Sequence, residues 1–208
     1  MNRTFKYAFR LVHIDNVPHI LTHGIVHSCS GLADPAYIPI GDRSLIGVRS
    51  IKNIPGTDKH IGDMIPFYFG SRPPMLYNIQ HGYNVKRYPA EDFVYCVILL
   101  ADIVTGQYCG YFTDGNARSG NTVFYPVSRL SEINELLCYE DVFRRDWGTN
   151  VDNTGELRRL KQAELLLEND LAYELVSGFI VYNDKAQDKM LSFGLPENKV
   201  IVRPDYYY

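Results

Sequence analysis

The stretch Asp63–Ile79, DMIPFYFGSRPPMLYNI, constrains this chain more than any other. It gathers four aromatics, Phe67, Tyr68, Phe69 and Tyr77, around a Gly-Ser-Arg-Pro-Pro break. The aromatic run reads as a strand that stops abruptly at Gly70, because the prolines beyond it lack the amide donor a sheet ladder needs. Strand alternation turns Phe67 and Phe69 inward and Tyr68 to the opposite face, and Ser71–Tyr77 then reads as a rigid turn. Buried core is one use of such a segment. A binding wall is the other, since aromatic faces beside one fixed cation suit a flat, anionic ligand such as a nucleotide.

The rest of the chain supplies strands and short helices around this stretch. Phe93–Leu100, FVYCVILL, is the strongest buried-strand signal, with Gln107–Phe112 as its expected neighbour through Thr105-Gly106. Residues 5–12 read as a strand delivering His13. A helix follows, capped by Asp15 or Asn16, with Pro18 in its first turn and Gly24 closing it. Exposed amides at that helix start suit a ribose hydroxyl or a phosphate, while a packed, hydrogen-bonded histidine is the plainer reading of His13. Residues 26–44 read as an extended loop rich in turn formers, and Leu45–Ile51 as a short strand. Arg49 stands there among apolar neighbours and needs an anionic partner, either an internal carboxylate or a ligand's pyrophosphate.

Thr113–Gly120, TDGNARSG, is a polar loop and not a Walker motif; no GxGxxG is present, and nothing points to a Rossmann-type dinucleotide fold. Ser131–Tyr139 reads as an amphipathic helix burying Ile133, Leu136 and Leu137, and Asp152 or Thr154 caps another through Leu157–Lys161. Residues 161–170, KQAELLLEND, fit a helix or a strand; in both, Glu164 lies beside apolar surface and needs a partner or a catalytic duty. A salt bridge to Arg158, Arg159 or Lys161 is the plain alternative. A helix over 171–177, a strand over 179–183, a helix over 184–193 and a last strand Lys199–Arg203 complete the chain. Strands in the middle and helices toward the ends indicate an α+β domain.

Composition narrows the class. With 208 residues, 46% hydrophobic and 22% charged, one sizeable core is expected over 1–208. A net charge of −3 argues against a broadly basic surface, though not against a local basic groove. Cys29, Cys96, Cys109 and Cys138 form no CxxC pair, so a reduced, cytoplasmic protein without structural zinc is expected. No apolar run approaches the ~20 residues of a membrane span, and no metal site or membrane attachment is expected.

Three pieces together, HIDNVPHILTHGI, MIPFYFGSRPPMLYNI, and KQAELLL followed by FIVYN, resemble the DarT family of DNA ADP-ribosyltransferase toxins. The resemblance runs over essentially the whole chain and takes in IPIGDRSLI and FTDGNA. Pro73, where a serine is commoner, and Leu165, where an aromatic is, are departures. The resemblance implies an ADP-ribosyltransferase fold: a split, mainly antiparallel sheet with flanking helices and a central NAD+ cleft. It also implies transfer of ADP-ribose from NAD+, as co-substrate, to thymine or guanine in single-stranded DNA, and a macrodomain-type antitoxin as partner; a monomer is expected. Carried over by motif, Glu164 and Arg49 are catalytic, Glu164 on a strand, with Arg43 and Arg72 as competitors of Arg49. His13, Asn16, Gly24, Arg49, Tyr68 and Tyr77 face NAD+, and Arg72, Met75 and Tyr77 face the DNA. Alternatives are transfer to RNA or protein, NAD+ hydrolysis, or a catalytically silent nucleic-acid-binding module.

Overall fold

The computed structural model describes residues 3–208. In chain order the elements are β1 (Tyr7–His13), α1 (Val17–His23), α2 (Arg43–Ile51), β2 (Ile65–Tyr68), α3 (Pro74–His81), β3 (Phe93–Leu99), α4 (Leu100–Thr105), β4 (Gly110–Thr113), β5 (Phe124–Pro126), α5 (Ile133–Leu136), α6 (Tyr139–Val142), α7 (Glu156–Leu160), β6 (Glu164–Leu167), β7 (Val176–Val181), α8 (Asp184–Ser192) and β8 (Val200–Val202). The strands form one eight-stranded sheet in the order β5-β4-β6-β2-β1-β3-β7-β8. Every neighbouring pair is antiparallel except β7–β8, which the α8 crossover makes parallel. The fold is the mixed, mainly antiparallel α+β architecture that the sequence implies.

The sheet is buried on both faces, and alternation along each strand divides the core. Ala8, Val12, Phe67, Phe69, Val94, Cys96, Leu165 and Leu167 join one cluster with the inner sides of the helices. Phe9, Leu11, Phe93, Tyr95 and Val97 join a second with Leu76 and Ile79 of α3 and Tyr207. β6, paired between β2 and β4, is buried at all four positions because both of its faces are covered, Leu165 and Leu167 by the main core, Leu166 by Ile54, Ile61 and Met64, and Glu164 by Arg49, which explains why ELLL shows no polar alternation. The split falls beside β1: it pairs with β3 from Tyr7↔Leu99 to His13↔Phe93, but with β2 only at Phe9↔Tyr68.

Several sequence expectations are corrected. Leu45–Ile51 lies in helix α2, not a strand; Asp42 caps it by accepting from Ser44 N at 2.8 Å, and Leu45 and Arg49, four apart, are its more buried positions. The Ser71–Tyr77 turn gives way at Pro74 to helix α3, where a first-turn proline costs no hydrogen bond. Gln107–Phe112 is not the neighbour of β3. Helix α4 intervenes, Gln107 takes a left-handed φ of 53°, and β4 pairs with β5 and β6 instead. The helix over 131–139 breaks into a 3-10 turn over Val127–Glu132 and the single turn α5, with Leu136 only partly buried. The helix over 171–177 is one 3-10 turn, Tyr173–Leu175, because β7 already begins at Val176. Among residues 161–170, the strand form holds for Glu164–Leu167.

Candidate active site

Where β1 and β2 part, a cavity of about 1000 Å³ opens between them, roofed by α2 and the loop that precedes it. Glu164, the first residue of β6, stands directly opposite Tyr68 of β2. Its carboxylate is 4% exposed and is met by Arg49 from α2, itself 19% exposed. Arg49 Nη1 donates to Oε1 at 3.2 Å and Nη2 to Oε2 at 2.9 Å, a two-pronged pairing across 115 residues of sequence. A third donor comes from the polar loop: Ala117 N–H reaches Glu164 Oε1 at 3.1 Å. Burial alone would depress the Arg49 guanidinium; the charge and hydrogen bonds of Glu164 outweigh it and hold Arg49 above its usual range. Burial, then the Glu164 charge, pushes the Tyr68 hydroxyl above its usual range, so at neutral pH it is a donor, directed to Met75 Sδ at 3.7 Å.

Asn16, Gly24, Arg49, Tyr68, Met75 and Glu164 line this cavity. Asn16 uses both ends of its amide on Ile38, donating to its carbonyl at 3.0 Å and accepting from its N–H at 2.9 Å, and so fixes the loop that rims the opening. Gly24 closes α1 at a φ of 79°, and a β-carbon there would collide with Leu171 O. His13, Arg72 and Tyr77 lie outside the lining. His13 caps the turn after β1 by accepting Asp15 N–H on Nδ1 at 3.2 Å and packs edge-on against Tyr88 and Phe93. Its burial, opposed by Asp15 and Asp92, lowers its pKa, so the ring is neutral.

Arg72 sits at the left-handed φ of 54° on the turn before α3. Its guanidinium lies 4.3 Å over the Tyr208 ring, and its carbonyl accepts the Tyr208 hydroxyl at 2.6 Å. Tyr77 meets Trp147 and Tyr208 edge-on and lies 4.0 Å from the His81 ring. The two therefore belong to an aromatic cluster beside the cavity. The side chain of Arg43 is outside the described ones.

Other residues at the site carried little sequence signal. Neither Arg159 nor Lys161 pairs with Glu164, contrary to the plain salt-bridge reading; Arg159 binds Asp114 and Glu156, and Lys161 Nζ donates to Ser71 O at 3.2 Å and Val142 O at 3.4 Å. Arg158 lies over Trp147. Arg10 lines the cavity and donates to Pro66 O at 3.0 Å, bridging the gap where the β1–β2 ladder has ended. An arginine inside the apolar run FKYAFRLV was the available cue. Among the described residues no group of three or more His, Cys, Asp or Glu is placed to hold a metal, and no helix is long and apolar enough to cross a membrane.

The split sheet and its buried Arg–Glu pair sit in a chain that comparison with known proteins places in the DNA ADP-ribosyltransferase class. The family model described as "ssDNA thymidine ADP-ribosyltransferase, DarT" matches residues 9–208, and the chain belongs to that family. A DNA ADP-ribosyl transferase of Escherichia coli O127:H6 is 33% identical over 190 residues, covering 90% of this chain and 85% of its own. Among solved structures, DarT of Thermus sp. 2.9 in complex with ADP-ribosylated single-stranded DNA superposes with a TM-score of 0.85 at 25% identity, covering all of both chains. The same Thermus protein in complex with NAD+ superposes with a TM-score of 0.80 at 24% identity, again over all of both chains, and speaks for the fold.

Proposed function

We propose that the chain, as one domain over residues 1–208, transfers ADP-ribose from NAD+ to thymine in single-stranded DNA, with Glu164 and Arg49 as its catalytic pair. One observation carries this reading: a carboxylate buried in a nucleotide-sized cavity, aimed by a two-pronged arginine and a backbone amide. Burying a charge in this way is costly unless it is paired, and here both partners also fix its direction.

The residues present fit NAD+. Gly24 lets the end of α1 pack tightly on Leu171 beside the cavity wall, Asn16 holds the rim, Tyr68 offers a half-buried aromatic face, and Arg10 and Arg49 bring positive charge to the cavity. NAD+ supplies a nicotinamide–ribose bond whose cleavage leaves positive charge at the anomeric carbon. Glu164 stabilises that charge where it develops. As the new bond forms from the thymine ring nitrogen, Glu164 accepts the proton that nitrogen gives up, and nicotinamide leaves. Arg49 holds the carboxylate in its direction through both of its oxygens. Arg72 and Met75, with the aromatic cluster at Tyr77, are assigned to the DNA side, where base stacking contributes on the order of 1–3 kcal/mol per base. The Nε of Arg72 is buried without a partner, at an expected cost of roughly 1–3 kcal/mol, which fits a residue kept for a ligand. His13 positions the chain at the start of the turn next to the cavity. A cytoplasmic monomer acting as a toxin, countered by a macrodomain-type antitoxin that removes the modification, completes the proposal.

The test is incubation with labelled NAD+ and separate pools of single-stranded DNA, duplex DNA, RNA and protein. Label is expected on thymine-containing single strands, and Glu164→Ala is expected to abolish it while NAD+ binding, followed by calorimetry, persists. Label on protein alone, or only as free ADP-ribose, would overturn the DNA assignment.

A further inference from the structure

We propose that the loop from Thr113 to Thr122 is a positioning device for the Glu164 carboxylate, with the Ala117 amide as its contact and Arg159 as the residue that holds it in place. This inference rests on the assignment of Glu164 as the catalytic carboxylate.

The loop is fastened to β6 at both the backbone and the side chain of Glu164. Glu164 N–H donates to Thr113 Oγ1 at 3.0 Å, and that hydroxyl donates on to Gly115 O at 2.7 Å. Two residues later the loop returns the contact through Ala117 N–H on Oε1. A backbone amide differs from Arg49 as a donor, because it has no rotamers and cannot swing toward a substrate. Oε1 is therefore doubly held, by Ala117 and Arg49 Nη1, whereas Oε2 has only Arg49 Nη2. The geometry makes Oε1 the anchored oxygen and Oε2 the one free to take the proton of the attacking nitrogen once Arg49 adjusts.

Arg159 explains why the loop can hold this position. Its Nη1 donates to Asp114 Oδ1 at 2.9 Å and Thr122 Oγ1 at 3.2 Å, joining the two ends of the loop, and its carbonyl accepts Asn116 N–H at 2.9 Å. Thr122 Oγ1 in turn donates to Asn116 O at 2.7 Å. The guanidinium sides with Glu156 as well, and its side chain is 10% exposed. Gly115 packs close beside it, and a β-carbon there would meet Arg159 Nη1 and force the guanidinium to shift. From the other side, Lys52 at the end of α2 donates Nζ to Arg118 O at 2.7 Å. One loop thus touches the strand that carries Glu164 and the helix that carries Arg49, and a planar fork that bonds in several directions is what Arg159 provides and a lysine does not.

The experiment measures steady-state transfer from NAD+ to a thymine-containing single-stranded oligonucleotide by the full chain carrying Arg159→Ala, Arg159→Lys or Gly115→Ala. Expected for Arg159→Ala is a fall in kcat of about 10- to 100-fold with KM for NAD+ changed by less than about twofold, the split that lost positioning produces. Arg159→Lys recovers part of kcat, and Gly115→Ala, which pushes the guanidinium aside, falls in the same direction. Should Arg159→Ala fail to fold by circular dichroism, Arg159→Lys and Gly115→Ala carry the test. Folded variants that keep wild-type kcat, or that change kcat only in proportion to the fraction folded, would overturn the proposal. If Glu164→Ala is inactive while these variants match wild type, only this inference falls; if Glu164→Ala is itself active, the reading beneath it falls.

Discussion

The two seams of β1 could hardly differ more. Toward β3 the strand is matched residue for residue from Tyr7 to His13, with Ala8, Val12, Val94, Cys96 and Ile98 buried behind the ladder. Toward β2 it is matched only at Phe9↔Tyr68, and beyond that point a side chain, Arg10 to Pro66 O, stands in for the ladder. The closed seam keeps its ladder in unbroken register along all seven residues of β1. The open seam gives up ladder bonds and gains a wedge-shaped space whose walls are two well-supported strands. Cleft and core are therefore products of one strand, and the Arg49–Glu164 pair sits on the side where pairing stops.

If this contrast is right, substitutions should separate activity from stability. The largest effect belongs to the open seam: Arg49→Ala is expected to lower transfer by at least about 100-fold and to weaken NAD+ binding, both read with labelled NAD+ and calorimetry. It also strands a buried carboxylate, at an expected cost of roughly 3–5 kcal/mol in denaturant unfolding. Retained turnover would move the chemistry away from the split. Next comes Ile98→Ala on the closed seam, fully buried in the native core. A loss of about 2–5 kcal/mol in stability is expected, with turnover per folded molecule unchanged at low temperature. Equal losses of both would erase the distinction between the seams.

The smallest effect concerns the support beneath the open side. Burial, then the nearby Arg72, lowers the Lys161 pKa to about 8. Above that pH the folded protein has released a proton that the unfolded chain still binds, so stability rises with pH there until the ordinary lysine range is reached. Relative to Lys161→Met, the wild type should gain about 1.5 kcal/mol between about pH 8 and 9.5, measured by denaturant unfolding at several pH values. A constant difference between the two would mean that the lysine titrates normally.

What could be read in the sequence follows the same division. Long apolar runs announced β1 and β3, and the first-turn Pro18 and the closing Gly24 announced α1, because those signals are local. Helix α2 was read as a strand since LIGVRSI is rich in β-branched residues, and only the Asp42 cap and the four-residue spacing of Leu45 and Arg49 speak against it. The state of Glu164–Leu167 was open on pattern alone, because a strand buried on both faces carries no alternation. The need of Arg49 and Glu164 for partners was legible from charge among apolar neighbours; that each is the other's partner was not, with 115 residues between them. The Ala117 contact was invisible in principle, since a backbone amide is the same in every residue but proline.

The strand order carries a consequence for how the enzyme comes into being. β6 lies between β2 and β4, yet it is made about a hundred residues after β2, and Glu164 comes with it. A chain emerging from the ribosome in order can complete the β1–β3 ladder before β6 exists, while β2 and β4 wait with unsatisfied edges. Until β6 has been translated, a growing chain has no Glu164 to meet Arg49. A chain that stops short of β6 therefore lacks the Arg49–Glu164 pair and at the same time leaves the facing edges of β2 and β4 open to pairing with other chains.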